Sequence, residues 1–150
     1  MDRTNVCKLN SACFFELKKF LGEVDNDFPI PLSSKTDLGE LAHKLLGNGL
    51  SMVILNGSDI ASGCFGYAND VQSKTAYISV VSTLKAFRGR GFAEKCVRAF
   101  LDEAKNLNME SAVLYTHNTN IGAIKIYEKI GFEKIPSDRD GDVKMSFKLR

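Results

Sequence analysis

The centre of the chain places a strand, a helix and a second strand one after another, and this order restricts the fold more than any other feature. A strand is predicted over Thr75 to Thr83, a helix over about Gly91 to Leu107, and a short buried strand over Ala112 to Tyr115. The helix has one apolar stripe, which includes Cys96 and Phe100. Two strands joined by such a helical crossover run parallel in one sheet. The sequence therefore predicts a sheet with at least one parallel pair.

The flanking segments add antiparallel strands and further helices. Helices are predicted over residues 11–21, 35–46 and 120–130, and hairpins over residues 52–55 with 60–68 and 132–135 with 143–149. Glu23 to Ser34, with prolines at 29 and 31, forms the loop between the first two helices. These elements predict one α+β domain over residues 1–150, with a mixed sheet of about six to seven strands flanked by four helices.

Length and composition exclude several other classes of protein. A chain of 150 residues fits one compact domain, and 44% apolar residues suffice for a core, which excludes a disordered chain. A net charge of +2 is too small for a protein whose main partner is a nucleic acid. No apolar stretch approaches the roughly 20 residues of a membrane-spanning helix, and Met1 to Thr4 lack the apolar core of a signal peptide. The four cysteines lack zinc-ligand spacing, so we expect a cytoplasmic protein without a metal, bound neither to nucleic acid nor to a membrane.

The segment that joins the central strand to the central helix, Arg88-Gly89-Arg90-Gly91-Phe92-Ala93, has features of a phosphate site. Gly89 and Gly91 let the backbone turn tightly and bring its N–H groups close to a ligand. The first N–H groups of a helix lack internal partners and carry partial positive charge, which suits a pyrophosphate. Arg88 and Arg90 add cationic donors. Taken alone, these residues also fit an ordinary loop with two glycines and solvated arginines.

Two other glycine-rich motifs do not match this segment. A P-loop has a lysine and then Ser or Thr after its last glycine, where this chain has Phe92-Ala93. A dinucleotide-binding motif has a third glycine three residues past Gly91, where Glu94 stands. Both motifs are therefore excluded.

Two segments resemble signatures of the GNAT superfamily of acyl-CoA-dependent N-acetyltransferases. Arg88-x-x-Gly91-x-Ala93 after a strand resembles the family's Arg/Gln-x-x-Gly-x-Gly/Ala. Asn120 to Phe132 is similar to its second signature, in which Asn precedes Ala by three residues and Tyr by seven, as it does Ala123 and Tyr127 here. The order of elements matches over nearly the whole chain. At Lys85 many members carry proline, which alters the stiffness of the loop more than the site.

This resemblance implies an enzyme that moves the acetyl group of acetyl-CoA to a primary amine by direct attack in a ternary complex. The strand end would face the pantetheine arm and the acetyl carbonyl, the turn would hold the pyrophosphate, and an asparagine would bond to the arm. The implied acetyl-CoA contacts are Val81, Ser82, Thr83, Arg88, Gly89, Arg90, Gly91, Phe92, Ala93, Glu94 and Asn120.

Attack of an amine on a thioester assigns two further roles. The amine must lose a proton, because the pKa of an alkylamine is about 10.4, and the departing thiolate profits from a proton. The resemblance places Tyr127 at the sulfur as the acid; a core aromatic is the alternative. His117, just past the strand at 112–116, is the candidate base, because imidazole titrates near about 6.5; an exposed loop residue is the alternative.

In this family the acceptor cleft lies between the loop joining the first two helices and the last hairpin. Carboxylates in those segments either attract a cationic amine or are simply solvated: Glu23, Asp25, Asp27, Asp138, Asp140 and Asp142. The acceptor is a small molecule or a protein amine, and a homodimer is a possible assembly. The alternative functions are a non-catalytic acyl-CoA-binding sensor module and an adaptor that uses the helical face Lys125, Glu128, Lys129 and Glu133.

Overall fold

The computed structural model describes residues 5–150. The first four residues, on which the expectation about a signal peptide rests, lie outside this range. The strands are β1 (Val6–Lys8), β2 (Leu50–Asn56), β3 (Asp59–Tyr67), β4 (Thr75–Thr83), β5 (Ser111–His117), β6 (Glu133–Ile135) and β7 (Asp142–Lys148). The helices are α1 (Phe14–Val24), α2 (Leu38–Asn48), α3 (Phe92–Asn106) and α4 (Ile121–Ile130). Short 3-10 turns occupy Asp25–Asp27, Leu32–Ser34 and Lys85–Phe87 in the connecting segments.

All seven strands form one sheet, in the order β1-β2-β3-β4-β5-β7-β6. β4 and β5 are its parallel pair and are joined by α3, whereas every other neighbouring pair is antiparallel. The predicted architecture, an α+β fold with a mixed sheet and four helices, is confirmed.

The helices cover both faces of the sheet. α1 and α2 pack on one face, where Phe20 meets Phe65 of β3 with ring centres 5.7 Å apart. α3 and α4 pack on the other face, and Cys96 and Phe100 of α3 are fully buried there, as the apolar stripe predicts. Burial of a large apolar side chain contributes about 1.5–3 kcal/mol, so these two layers hold the sheet between them.

A β-bulge at Ser79 opens the middle of the sheet. Phe65 of β3 pairs with Val80, and the next residue of β3 pairs with Ile78, so Ser79 is an extra residue in β4. The extra residue reverses the alternation of side chains, because Ile78 packs with α3 and α4 while Val80 packs with α1 and α2. Pairing between β4 and β5 ends at Ile78 and Leu114, although both strands continue. A cleft lies between the two strand ends.

The predicted boundaries are most accurate near this cleft. β4 has the predicted bounds, and α3 and α4 each begin one residue later than predicted. α1 begins at Phe14 because Asn10 forms a turn before it, accepting the N–H of Ala12 on its side chain at 2.8 Å. α2 begins after Asp37, whose carboxylate caps the helix by accepting the N–H of Glu40 at 3.0 Å. The edge strand β1 was not predicted.

Within residues 5–150 no helix combines the length and the apolar character that crossing a membrane requires.

Candidate active site

Two hollows meet in the cleft between β4 and β5. The first, which we call the turn groove, has a volume of about 470 Å³ and is lined by the end of β4, the segment from Arg88 to Glu94 and one side of α4. The second, the loop pocket, lies between the loop that joins α1 to α2, the ends of β4 and β5, and the loop that joins β6 to β7. Five residues line both hollows and form their common wall: Phe28, Val81, Asn120, Ala123 and Tyr127.

The turn groove contains a row of backbone N–H groups without partners. Gly89 and Gly91 have φ angles of +80° and +77°, a left-handed conformation that costs glycine little. Gly91 is the residue before α3, and no side chain caps that helix. Within the described chain, no N–H group from Gly89 to Glu94 donates a hydrogen bond. These groups and the positive end of the helix dipole are suited to an anion, such as the pyrophosphate that the sequence resemblance implies.

The two arginines of the turn differ in position. Arg88 lines the turn groove, but its Nε donates to the carbonyl of Thr83 at 3.0 Å and its Nη2 pairs with the carboxylate of Asp27. Arg90 is not among the lining residues, and its guanidinium lies 5.4 Å from the ring centre of Phe87. All the other acetyl-CoA contacts implied by the sequence line the groove.

Glu94 brings a carboxylate to the helix end that would hold the phosphates. Its two oxygens are each paired at 3.0 Å, one with Nζ of Lys129 and one with Nε of Arg98. The hydrogen bond from Lys129, followed by that from Arg98, lowers the pKa of Glu94. The two cations offset its charge beside the anion site, and the Lys129 pair ties α3 to α4.

The end of β4 offers a free strand edge to the turn groove. From Ser79 to Thr83 the strand has no partner on its β5 side, so an extended ligand can lie along this edge as an added strand would. Hydrogen bonds from the neighbouring strand β3 fix the end of β4. The Ser62 hydroxyl donates to the carbonyl of Ser82 at 3.2 Å, and Ser62 Oγ lies 2.7 Å from the hydroxyl oxygen of Thr83.

Tyr127 lies where the two hollows join. The residue is 7% exposed, and burial raises the pKa of its hydroxyl well above the ordinary value. The hydroxyl makes no hydrogen bond to any described residue. It still reaches the cleft, because among residues 5–150 the only fully buried side-chain oxygen or nitrogen without a hydrogen bond is Ser51 Oγ. Tyr127 therefore presents a protonated donor to the cleft. The nearby side chain of Asn120 is likewise without a hydrogen bond to the described residues.

His117 ends β5 and lines the loop pocket. Its Nδ1 accepts the backbone N–H of Thr119 at 3.2 Å and lies 2.8 Å from the hydroxyl of the same residue. A ring nitrogen that accepts an N–H holds the lone pair, so the proton of the neutral ring is on Nε2. His117 can take up a proton only if Nδ1 exchanges this contact for another.

The six loop carboxylates, which from the sequence either attract a cationic amine or are solvated, do not gather in the loop pocket. Asp142 alone of the six lines it. Asp25 accepts hydrogen bonds from the side chain and backbone of Ser33, and these bonds lower its pKa. Asp138 accepts a hydrogen bond from the Tyr115 hydroxyl at 2.7 Å, and this bond lowers the pKa of Asp138 as well. These carboxylates hold the two loops in shape.

Two contributions to the site were not found from the sequence. Phe28 forms part of the common wall, and Arg139 lines the loop pocket while its guanidinium lies 3.7 Å from the ring centre of Tyr115. Both lie in connecting loops, where neither spacing nor periodicity identifies them.

Other reactive groups of the chain take no part in the cleft. Cys96 and Cys64 are fully buried thiols, and the described residues contain no group of His, Cys, Asp or Glu side chains that could hold a metal ion.

Comparison with known proteins assigns the family. The family model for the acetyltransferase (GNAT) family matches residues 12–132. A curated relative, N-alpha-acetyltransferase 30 of Schizosaccharomyces pombe, is 39% identical over 56 residues, and the match spans 37% of this chain and 37% of that protein.

Solved structures share the fold at low sequence identity. An acetyltransferase of the GNAT family from Staphylococcus aureus Mu50 has a TM-score of 0.79 and 19% identity over 97% of this chain and 99% of that one. The GNAT domain of S. lividans PAT has a TM-score of 0.80 and 18% identity over 97% of this chain and 90% of that one. The PaiA N-acetyltransferase from Thermoplasma acidophilum, solved in complex with coenzyme A, has a TM-score of 0.74 and 12% identity over 98% and 99%. From the family match and this shared architecture, the chain belongs to the acetyltransferase (GNAT) family.

Proposed function

We propose that the protein transfers the acetyl group of acetyl-CoA to a primary amine by direct attack in a ternary complex. The observation that carries this proposal is the junction of the turn groove with the loop pocket at Tyr127. Ligands in the two hollows would meet beside one buried hydroxyl, as transfer between two bound substrates requires.

The turn groove would hold acetyl-CoA, which supplies the thioester. The unpaired N–H groups from Gly89 to Glu94 would bind its pyrophosphate, and the free edge of β4 would bind the pantetheine arm with help from Asn120. A backbone N–H on the same edge would stabilise the oxyanion that forms at the acetyl carbonyl.

In the transfer itself, a bond forms between the amine nitrogen and the acetyl carbon, and the carbon–sulfur bond breaks. Tyr127, kept protonated by its buried position, would give a proton to the departing sulfur and regain one from solvent. The proton that the amine loses would pass to His117, after its Nδ1 releases Thr119, and from there to solvent.

The loop pocket favours an enzyme over the alternative of a non-catalytic acyl-CoA sensor. A sensor needs the turn groove alone, whereas this chain also keeps a second hollow that opens at the Tyr127 hydroxyl. The match to an N-alpha-acetyltransferase supports an α-amino group as the acceptor. Four free cysteines support a reducing compartment such as the cytoplasm.

Two measurements test the proposal together. Calorimetry with coenzyme A tests the turn groove, and mass spectrometry of a panel of amines incubated with acetyl-CoA tests transfer. We expect binding and an acetylated product. Binding without any product would support the sensor instead, and a protein that binds no coenzyme A would exclude both functions.

A further inference from the structure

The loop pocket has a charge pattern of its own. Three charged side chains line it: Lys35 from the loop before α2, Arg139 from the loop before β7, and Asp142 at the start of β7. Within residues 5–150, neither the Lys35 ammonium nor the Arg139 guanidinium makes a hydrogen bond or an ion pair. Two cationic residues thus line the hollow in which the acceptor would bind.

Arg139 is held in place although no carboxylate of the described residues lies within ion-pair distance of its guanidinium. Asp138 is nevertheless near: its pKa is lowered chiefly by the Tyr115 hydroxyl and further by the charges of Lys144 and Arg139. The Arg139 guanidinium lies over the ring of Tyr115, 3.7 Å from the ring centre, and Tyr115 is itself fixed by the hydrogen bond to Asp138. The backbone N–H of Arg139 donates to the hydroxyl of Ser137, and its carbonyl accepts the N–H of Asp142 at 3.3 Å. One face of the guanidinium is covered by the ring, so the N–H groups along its edge are left for a ligand.

The opposite charge lies close by in the sheet. Asp142 of β7 is the strand partner of His117 of β5, and both residues line the loop pocket, as do Asn120 and Tyr127. A cationic amine is therefore attracted by Asp142, while a planar anion on the same acceptor suits the fork of Arg139, which binds carboxylates through two parallel hydrogen bonds.

From this arrangement we infer that the acceptor of the proposed transfer carries a carboxylate near its amine and that Arg139 binds this carboxylate, with Lys35 adding charge from the facing loop. The inference rests on the proposed function. It defines the acceptor as a free amino acid or as a peptide with an acidic side chain near its N-terminus, since both present an amine and a carboxylate together.

The test uses acceptors that differ only by carboxylate and carboxamide. One arm compares phenylalanine with phenylalaninamide. The other compares tetrapeptides with a free N-terminus and an amidated C-terminus, which begin with aspartate or asparagine and continue with alanines. The ratio of kcat/KM for acid over amide is measured in each arm with wild type and with Arg139→Gln. Dividing the wild-type ratio by the Arg139→Gln ratio in each arm cancels the intrinsic difference in reactivity between the two amines.

We expect Arg139→Gln to reduce the acid-over-amide ratio about 10- to 100-fold in at least one arm, as the loss of charged hydrogen bonds predicts. The arm that responds identifies the source of the carboxylate. Arg139→Lys should retain part of the ratio. Lys134→Gln, which removes an equal charge from β6 outside the loop pocket, should leave the ratio within about twofold.

If Arg139→Gln leaves the acid-over-amide ratio unchanged in both arms, the inference is overturned. Transfer to the amides by wild type would in that case still support the proposed function. The inference would also fail if acid and amide lost activity equally, because Arg139 would then support the fold or the transfer step. Wild type that acetylates no amine in either arm, and none in the wider panel, would overturn the proposed function and the inference together.

Discussion

The Arg88 guanidinium ties the turn before α3 to the loop between α1 and α2 through its ion pair with the carboxylate of Asp27, and both residues line the turn groove. Arg88 opens the turn beside α3, and its Nε is fixed by the carbonyl of Thr83. Asp27 lies in the loop between α1 and α2, next to Phe28, which lines both hollows. The first residue of the turn therefore fastens a loop that also lines the loop pocket, and the proposed phosphate site offers mainly backbone N–H groups.

Replacing Asp27 by asparagine should weaken acceptor binding more than it weakens the fold. Both partners of the pair are partly exposed, so we expect the free energy of unfolding to fall by less than about 1 kcal/mol. Loosening the loop should raise the acceptor KM severalfold. The Kd for coenzyme A should change less, although Asp27 and Arg88 line the turn groove, because the proposed phosphate site consists mainly of backbone N–H groups. Steady-state kinetics and calorimetry measure these effects, with Glu23→Gln on α1 as the charge-matched control. Equal acceptor KM values in the two variants would show that the ion pair does not position the loop.

Tyr127→Phe should lower kcat by about 10²- to 10⁴-fold, the usual contribution of an acid at a leaving group. Only the hydroxyl is removed, so the packing against Phe132 remains and the Kd for coenzyme A should stay within about twofold. Tyr67→Phe removes a hydroxyl from a tyrosine that lines neither hollow, and it is the matched control. Wild-type turnover by Tyr127→Phe would refute the acid role.

His117→Gln distinguishes two roles for His117, a base that takes the amine proton and a hydrogen-bond donor to the acceptor. Glutamine can donate a hydrogen bond but cannot take up the amine proton, so a base role predicts a large loss of kcat/KM and the disappearance of the acid limb of its pH profile. A donor role predicts a small loss and an unchanged limb. The profile of Thr119→Ala completes the test, because this variant removes the hydroxyl that lies 2.8 Å from Nδ1 and keeps the backbone N–H. Loosening Nδ1 in this way should help a base and should not affect a donor.

Gly91→Ala should weaken both the fold and coenzyme A binding. The φ angle of +77° is strained for alanine by about 1–2 kcal/mol, although an added Cβ meets no atom within 4 Å. Gly122→Ala in α4 also meets no atom within 4 Å, and it should stabilise the protein by about 0.5–1 kcal/mol because alanine favours a helix. Urea unfolding of the two variants measures the difference. A stable Gly91→Ala variant that binds coenzyme A normally would contradict the geometry of the turn.

The sequence predicted the site best where local backbone chemistry decides the structure. The glycines of the turn and the polar end of α4 are marked by residue type, and the bounds of β4 and α4 agree closely with the predictions. The strand β1 was missed because three residues carry too little pattern; Val6 and its neighbours are strand only through pairing with β2.

Features that depend on tertiary contacts did not show in the sequence. The bulge at Ser79 is defined by the register with β3, and the partner of Arg88 lies 61 residues away. The six carboxylates of the two loops looked alike in the sequence, yet Asp138 binds a tyrosine hydroxyl while Asp142 lines the pocket. Charge counted along the chain therefore left open whether these carboxylates form an acidic cleft or are solvated, whereas the folded pocket is lined by two cationic residues and one carboxylate.

Alkaline pH should destabilise the protein through its buried thiols. Burial raises the pKa of Cys96 to about 11, whereas a thiol in the unfolded chain has a pKa of about 8.5. Above that lower value the unfolded chain loses a proton that the folded protein keeps, so the free energy of unfolding falls as the pH rises and levels off above the folded pKa. The loss from Cys96 is on the order of 3 kcal/mol, with a further loss in the same direction from Cys64.

Urea unfolding between pH 7 and pH 11 measures this slope, and Cys96→Ala provides the test. The variant leaves a small cavity and should be less stable than wild type at pH 7, yet its stability should fall less steeply with pH because one buried proton is gone. Cys13→Ala removes a thiol from the turn before α1 that does not contribute to the raised pKa of Cys96, and it should leave the slope unchanged. A Cys96→Ala slope equal to that of wild type would mean that the thiol reaches solvent before the protein unfolds, since only a group that stays buried in the folded state can oppose its own ionisation.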